Sequence, residues 1–151
     1  MMHVRTLKFG ELEVPKENVI EFKEGIPGFP YIRRFAMLDV EEVRPFQYLQ
    51  ALEAESFAFL VIDPFLLEPK YEFQLSAQDM EDIGFANPEE ITVCVVATIP
   101  ENPAETTLNL KAPIVINVKM QCGKQVILHD SPYSVRHPLV KMVDSGRNGR
   151  T

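Results

Sequence analysis

Short apolar runs rich in Val, Ile and Phe recur along the chain with Gly, Pro or Asn between them, a pattern typical of antiparallel β domains. They predict strands at 4–9, 12–14, 19–22, 35–40, 46–51, 58–62, 71–75, 91–99, 106–110, 114–119 and 125–129. Turns are expected at 8–11, 25–30, 63–69, 100–103 and 122–124, where residues suited to turn backbone collect. Many short strands at this spacing fit a mainly β fold, a small antiparallel β-barrel-like single domain. The expected core includes Phe22, Leu60, Ile62, Val93, Val95, Ile114, Ile116 and Ile127.

One segment departs from the β pattern. Ser76 followed by Asp79 has the form of a capping box, Met80 and Ile83 share a helical face, and Gly84 supplies a stop, so one short helix is expected at 77–83. Its other face, with Asp79, Glu81 and Asp82, reads as solvated surface. The domain is expected to span 1–140, and 141–151, with Gly146, Gly149 and little apolar content, reads as a flexible tail.

Composition narrows the function. The 151 residues are 46% hydrophobic and 25% charged, enough for one domain with a core. The net charge is −7, and it is uneven: 39–105 holds fifteen acidic residues against two basic ones, Arg44 and Lys70, whereas 106–151 holds seven basic against two acidic. Such a chain repels phosphate backbones and attracts basic partners, which argues against direct nucleic-acid binding. No apolar run approaches the roughly 20 residues of a membrane span, and the start of the chain lacks a signal-peptide core, so a cytosolic location is expected. Cys94 and Cys122 lack disulfide or metal spacing and read as reduced thiols, Cys94 as a small core residue. A monomer is the default, with Pro100, Pro103, Pro113 and surface charge protecting strand edges.

Catalytic patterns are scarce. His3, His129 and His137 have no ligand spacing, and no serine sits in a nucleophile elbow. His129, Asp130 and Ser131 adjoin at a predicted strand end, where successive side chains point to opposite faces and cannot form a triad among themselves. Neither Gly-rich phosphate loop is present, so no cofactor and no metal are expected.

Several segments are more specific than folding alone needs. Glu21 to Phe29 runs a strand end into a turn with Pro27 and Gly28 at its corner, suited to type II geometry, between Ile26 and Phe29. Asn109 to Asn117 reads NLKAPIVIN, and Gly123 to Leu128 reads GKQVIL. With these three motifs in order, residues 3–140 resemble the FliW family of bacterial flagellar assembly factors. The resemblance implies a cytoplasmic, non-enzymatic β-barrel-like protein that binds flagellin and the carbon storage regulator CsrA, an RNA-binding repressor of flagellin translation. Binding would release that repression.

The motifs read as fold determinants, so the partner residues are sought elsewhere. Glu53, Glu55, Glu68, Glu72, Glu101 and Glu105 are the candidates for the basic surface that CsrA must present to its message. Tyr48, Phe65, Val96 and Ile99 are the candidates for an apolar groove that would cover an amphipathic flagellin helix. Two other readings stay open. A flavin-holding split barrel would give coloured protein, and a generic acidic adaptor would bind neither flagellin nor CsrA.

Overall fold

The computed structural model describes residues 1–84 and 87–139; the expected tail at 141–151 lies outside them. Two strands, β1 (Met2–Thr6) and β2 (Gly10–Val14), form an N-terminal hairpin. There follow β3 (Val19–Glu21), β4 (Arg34–Leu38), β5 (Gln47–Ala51) and β6 (Ala58–Ile62). Helix α1 (Ala77–Asp82) precedes the long β7 (Ile91–Thr98), and β8 (Thr107–Leu108), β9 (Ile114–Asn117), β10 (Cys122–Gln125) and β11 (His137–Pro138) complete the order.

Seven of these strands close on themselves in the order β3–β4–β5–β6–β7–β9–β10. Every pairing in the ring is antiparallel except the seam, where Cys122 of β10 meets Glu21 of β3 in parallel. Strand β7 serves two neighbours along its length: its first half pairs with β9 (Cys94 opposite Ile114), while Val95 to Ala97 pair with β6. The expected barrel is therefore present, and it is closed.

Its interior is filled by Phe22, Phe35, Leu49, Val61, Cys94, Ile114 and Ile116. Full burial of each large apolar side chain stabilises the fold by about 1.5–3 kcal/mol. Outside, the β1–β2 hairpin lays Val4 and Val14 over Ala36 and Leu38. A second outer cluster joins Tyr71 to Ile62, Val95, Leu108 and Leu110, and in a third Met80 of α1 and Ile83, just past its end, pack with Val115 and Val126.

The local sequence signals explain most elements. Ser76 accepts from the Asp79 amide at 3.0 Å, and Asp79 accepts from the Ser76 amide at 3.1 Å, so the capping box starts α1 where expected. Gly28 has φ 89°, and the Phe29 amide donates to the Ile26 carbonyl at 2.7 Å, the geometry of the expected Pro27–Gly28 turn. The first strand stops at Thr6 because its hydroxyl accepts from the Phe9 amide and donates to the Gly10 carbonyl, both at 2.8 Å.

The strand expected at 4–9 ends at Thr6, with residues 7–9 in a turn, and two further expectations fail. Residues 71–75 belong to no sheet; Tyr71, Phe73 and Leu75 instead pack into the outer clusters of the barrel. The strand expected at 125–129 is Cys122–Gln125, and the turn expected at 122–124 falls instead before it, at residues 118–121. The physical reason is Asn117, whose side-chain oxygen accepts from the Met120 amide at 3.1 Å and ends β9 early. In the shifted frame Val126 and Leu128 are buried while Ile127 is 45% exposed, so Ile127 is not core. Leu60 and Val93 are half-buried, and the other five expected core residues are buried.

Candidate functional site

The ten candidate residues do not converge on one place. Tyr48, Val96 and Ile99 border a single groove of about 900 Å³ beside β5, β6 and β7, together with Lys8, Arg44 and Phe46. Phe65 lies elsewhere, bordering a second groove of about 710 Å³ with Glu72. Its ring centre stands 5.8 Å from that of Tyr71 and it remains 40% exposed.

In the first groove, Ile99 is 47% exposed, whereas Val96 is half-buried against the interior cluster. Tyr48 is fixed from two sides. The Lys8 ammonium donates to its hydroxyl at 3.0 Å, and the Phe9 ring packs edge-on at 5.4 Å. Arg44 makes a two-pronged hydrogen bond to Asp39, both contacts at 2.9 Å, which holds that carboxyl below the usual carboxylate range.

The acidic candidates divide by strand register. Leu60 opposite Ala97 points the β7–β8 connection, with Glu101 and Glu105, toward the end where β6 begins. Glu53 and Glu55, in the β5–β6 connection, lie at that same end. Glu68 and Glu72 follow β6 and leave at the opposite end. Glu53 also supports the fold directly, because its carboxylate accepts from the Arg33 amide at 3.3 Å and from the Arg34 amide at 3.2 Å, closing the start of β4. Glu55, Glu72, Glu101 and Glu105 are exposed.

The face of α1 read as solvated is partly engaged. Lys124 bridges it to β10, reaching Asp79 at 2.9 Å and also contacting Asp82. Burial pushes Asp79 upward, but Lys124 and the Ser76 hydrogen bonds outweigh it and hold its carboxyl below the usual range. Hydrogen bonds from Lys124 and Gln78 do the same for Asp82.

Sequence reasoning missed Gln50, which is 3% exposed. Its side-chain amide lies 3.1–3.3 Å from the carbonyls of Ala51, Ala54, Glu55 and Phe57 and shapes the connection that carries Glu53 and Glu55. Only its place in an otherwise apolar alternation hinted at this. Burial, with the Asp63 charge adding to it, pushes the Cys94 thiol up to about 12, so it stays protonated. Ser131 is taken up locally, donating to the Leu128 carbonyl at 3.2 Å. Among the described residues no cluster of three or more His, Cys, Asp or Glu could hold a metal, and no helix is long and apolar enough to cross a membrane.

A closed barrel filled by its own side chains, with its grooves on the outside, defines this as a small closed β-barrel domain. The model of the FliW protein family matches residues 3–139, and the chain belongs to that family. The flagellar assembly factor FliW of Caldicellulosiruptor saccharolyticus is 39% identical over 142 residues, 94% of this chain and 93% of the relative. That of Bacillus subtilis is 37% identical over 138 residues, 91% of this chain and 96% of the relative. A crystal structure of a flagellar assembly factor FliW superposes with a TM-score of 0.85 at 34% identity, covering 91% of this chain and 96% of that one.

Proposed function

We propose that this protein is a non-enzymatic, cytoplasmic flagellar assembly factor that binds flagellin and, in its absence, CsrA, so that free flagellin leaves the repressor active and exported flagellin relieves repression. The observation that carries this reading is the groove shared by Tyr48, Val96 and Ile99, at the barrel end where Glu53, Glu55, Glu101 and Glu105 emerge. An apolar groove suits the apolar stripe of an unassembled amphipathic helix. The acidic residues at that end of the barrel suit a basic RNA-binding partner, and would repel RNA from a docked CsrA while speeding association.

Two ligands on overlapping or coupled surfaces weaken each other by mass action or by a coupling free energy. The test is a titration of preformed complex between this protein and CsrA with full-length flagellin and with flagellin lacking its C-terminal segment. Displacement by the full-length protein alone is expected. Failure of both to displace CsrA, or equal displacement by both, overturns the switch.

A further inference from the structure

The segment 71–75, which the sequence marks as a strand, alternates in burial like one: Tyr71 is buried and Phe73 and Leu75 half-buried, while Glu72 and Gln74 are exposed. Yet it has no ladder. The Tyr71 amide turns back to the Glu68 carbonyl and the Glu72 amide is taken by the Tyr133 hydroxyl at 3.0 Å. Among the described residues, the amides of Phe73, Gln74 and Leu75 and the main-chain carbonyls of 71–75 have no hydrogen-bond partner. All five residues border the second groove. Buried and exposed side chains alternate along these five residues, so a groove touched by all of them in succession runs along the main-chain edge. Its remaining walls are apolar, including Met80, Pro88, Ile91, Val93 and Val115.

We propose that this groove is a strand-addition site, which takes an extended segment of a partner protein that pairs with the open edge of 71–75 and lays alternate apolar side chains over Ile91 and Val93. Main-chain hydrogen bonds would supply affinity, and the apolar floor would select a sequence of period two. Charge decides the outward side chains of the occupant. Residues 63–90 hold eight acidic residues and one basic one, Lys70, so a segment with Lys or Arg at its outward positions is favoured over an acidic one. Lys124 neutralises part of this acid at Asp79 and Asp82, but Glu72, on the edge itself, is exposed. The inference rests on the edge geometry and stands apart from the identity of the partners proposed above.

The probe is a fluorescein-labelled heptapeptide of alternating Lys and Val, titrated into the full chain at about 0.15 M salt, where long-range attraction is screened. Its Glu–Val counterpart and a Lys–Val peptide N-methylated at every second residue are the controls. Expected are slower amide exchange at Phe73 and Leu75 on binding, and affinity about tenfold lower for both controls, because N-methylation removes main-chain donors and leaves the charge intact. Met80→Arg, on the groove floor, should weaken binding about fivefold with the β spectrum retained. Equal affinity of the methylated peptide, or no protection at Phe73 and Leu75, overturns the proposal. So does a homodimer of the protein in which these amides are already protected, which would assign the edge to a second copy.

Discussion

Gly123 of β10 lies directly against the ring of Phe22: a Cβ at position 123 would stand 2.8 Å from the ring's Cζ and 3.0 Å from Cγ2 of Ile20. Phe22 is 1% exposed and cannot swing outward, so two of the segments that mark the family in the sequence meet in one contact inside the barrel. Gly123→Ala should therefore destabilise the fold by about 1–3 kcal/mol through overpacking. A urea titration reads this as a lower midpoint with little change in slope; an unchanged midpoint would show that β10 can shift at no cost.

Tyr71 donates its buried hydroxyl to the Leu110 carbonyl at 2.7 Å. Burial, with the neighbouring Tyr133 adding to it, raises the phenol's pKa, so it remains a donor throughout the physiological range. Tyr71→Phe keeps the ring in place and leaves that carbonyl unpaired. A loss of about 1–3 kcal/mol is expected in thermal or denaturant unfolding.

The bridge from Lys124 to Asp79 and Asp82 gives stability a pH signature. Both carboxyls titrate below their ordinary value of 3.8 in the folded protein, so their contribution is complete above that value and is lost as pH falls through the depressed folded values. Lys124 titrates above its ordinary 10.5, the two carboxylates outweighing its burial, so its share is lost only as pH rises beyond that value. Lys124→Met should cost on the order of 1 kcal/mol near neutrality and make stability fall less steeply below about pH 4. Melting temperatures of both proteins from pH 3 to pH 7 would check this, and parallel curves would refute it.

The placement of acid suggests which charges matter for CsrA. Glu55→Lys, Glu101→Lys and Glu105→Lys together should weaken CsrA binding about tenfold or more at low salt and leave the melting temperature within a degree or two, since each exposed charge contributes roughly 0.2–1 kcal/mol. Glu68→Lys with Glu72→Lys, at the other end, should have a smaller effect. Glu53→Lys belongs in neither set, because it would uncap the Arg33 and Arg34 amides. Equal weakening by the two sets, read by calorimetry, would reject the assignment of CsrA to the Glu101 end.

Much of the architecture was legible because local chemistry and global fold agree. The capping box at Ser76, the Pro27–Gly28 turn and the continuous apolar run at β6 each name their own conformation. The misreading of 71–75 is of another kind. Its alternation is real and marks one buried face, but a period of two reports burial and says nothing about whether the main chain has a neighbour. The slip at β10 came from Asn117, whose side chain makes a turn without glycine or proline. The candidate site was legible only in part: Tyr48 comes from β5 while Val96 and Ile99 come from β7 and its end, and it is strand register that joins them while sending Phe65 to another groove.

The seam of the barrel bears on how the chain is made. Gln121, with φ 55°, accepts at its carbonyl from the Glu21 amide at 2.9 Å and sends its side chain to the carbonyls of Lys16 at 2.6 Å and Val19 at 2.9 Å, joining distant parts of the chain. A ribosome delivers β3 long before β10, so during synthesis the ring stands open with one side of β3 bare. Closure of so distant a pairing is slow compared with the hairpins β4–β5 and β5–β6, and it can begin only after residue 121 leaves the exit tunnel. A nascent chain halted earlier would carry the hairpins already formed and an unzipped seam, the stage at which a chaperone would have something to hold.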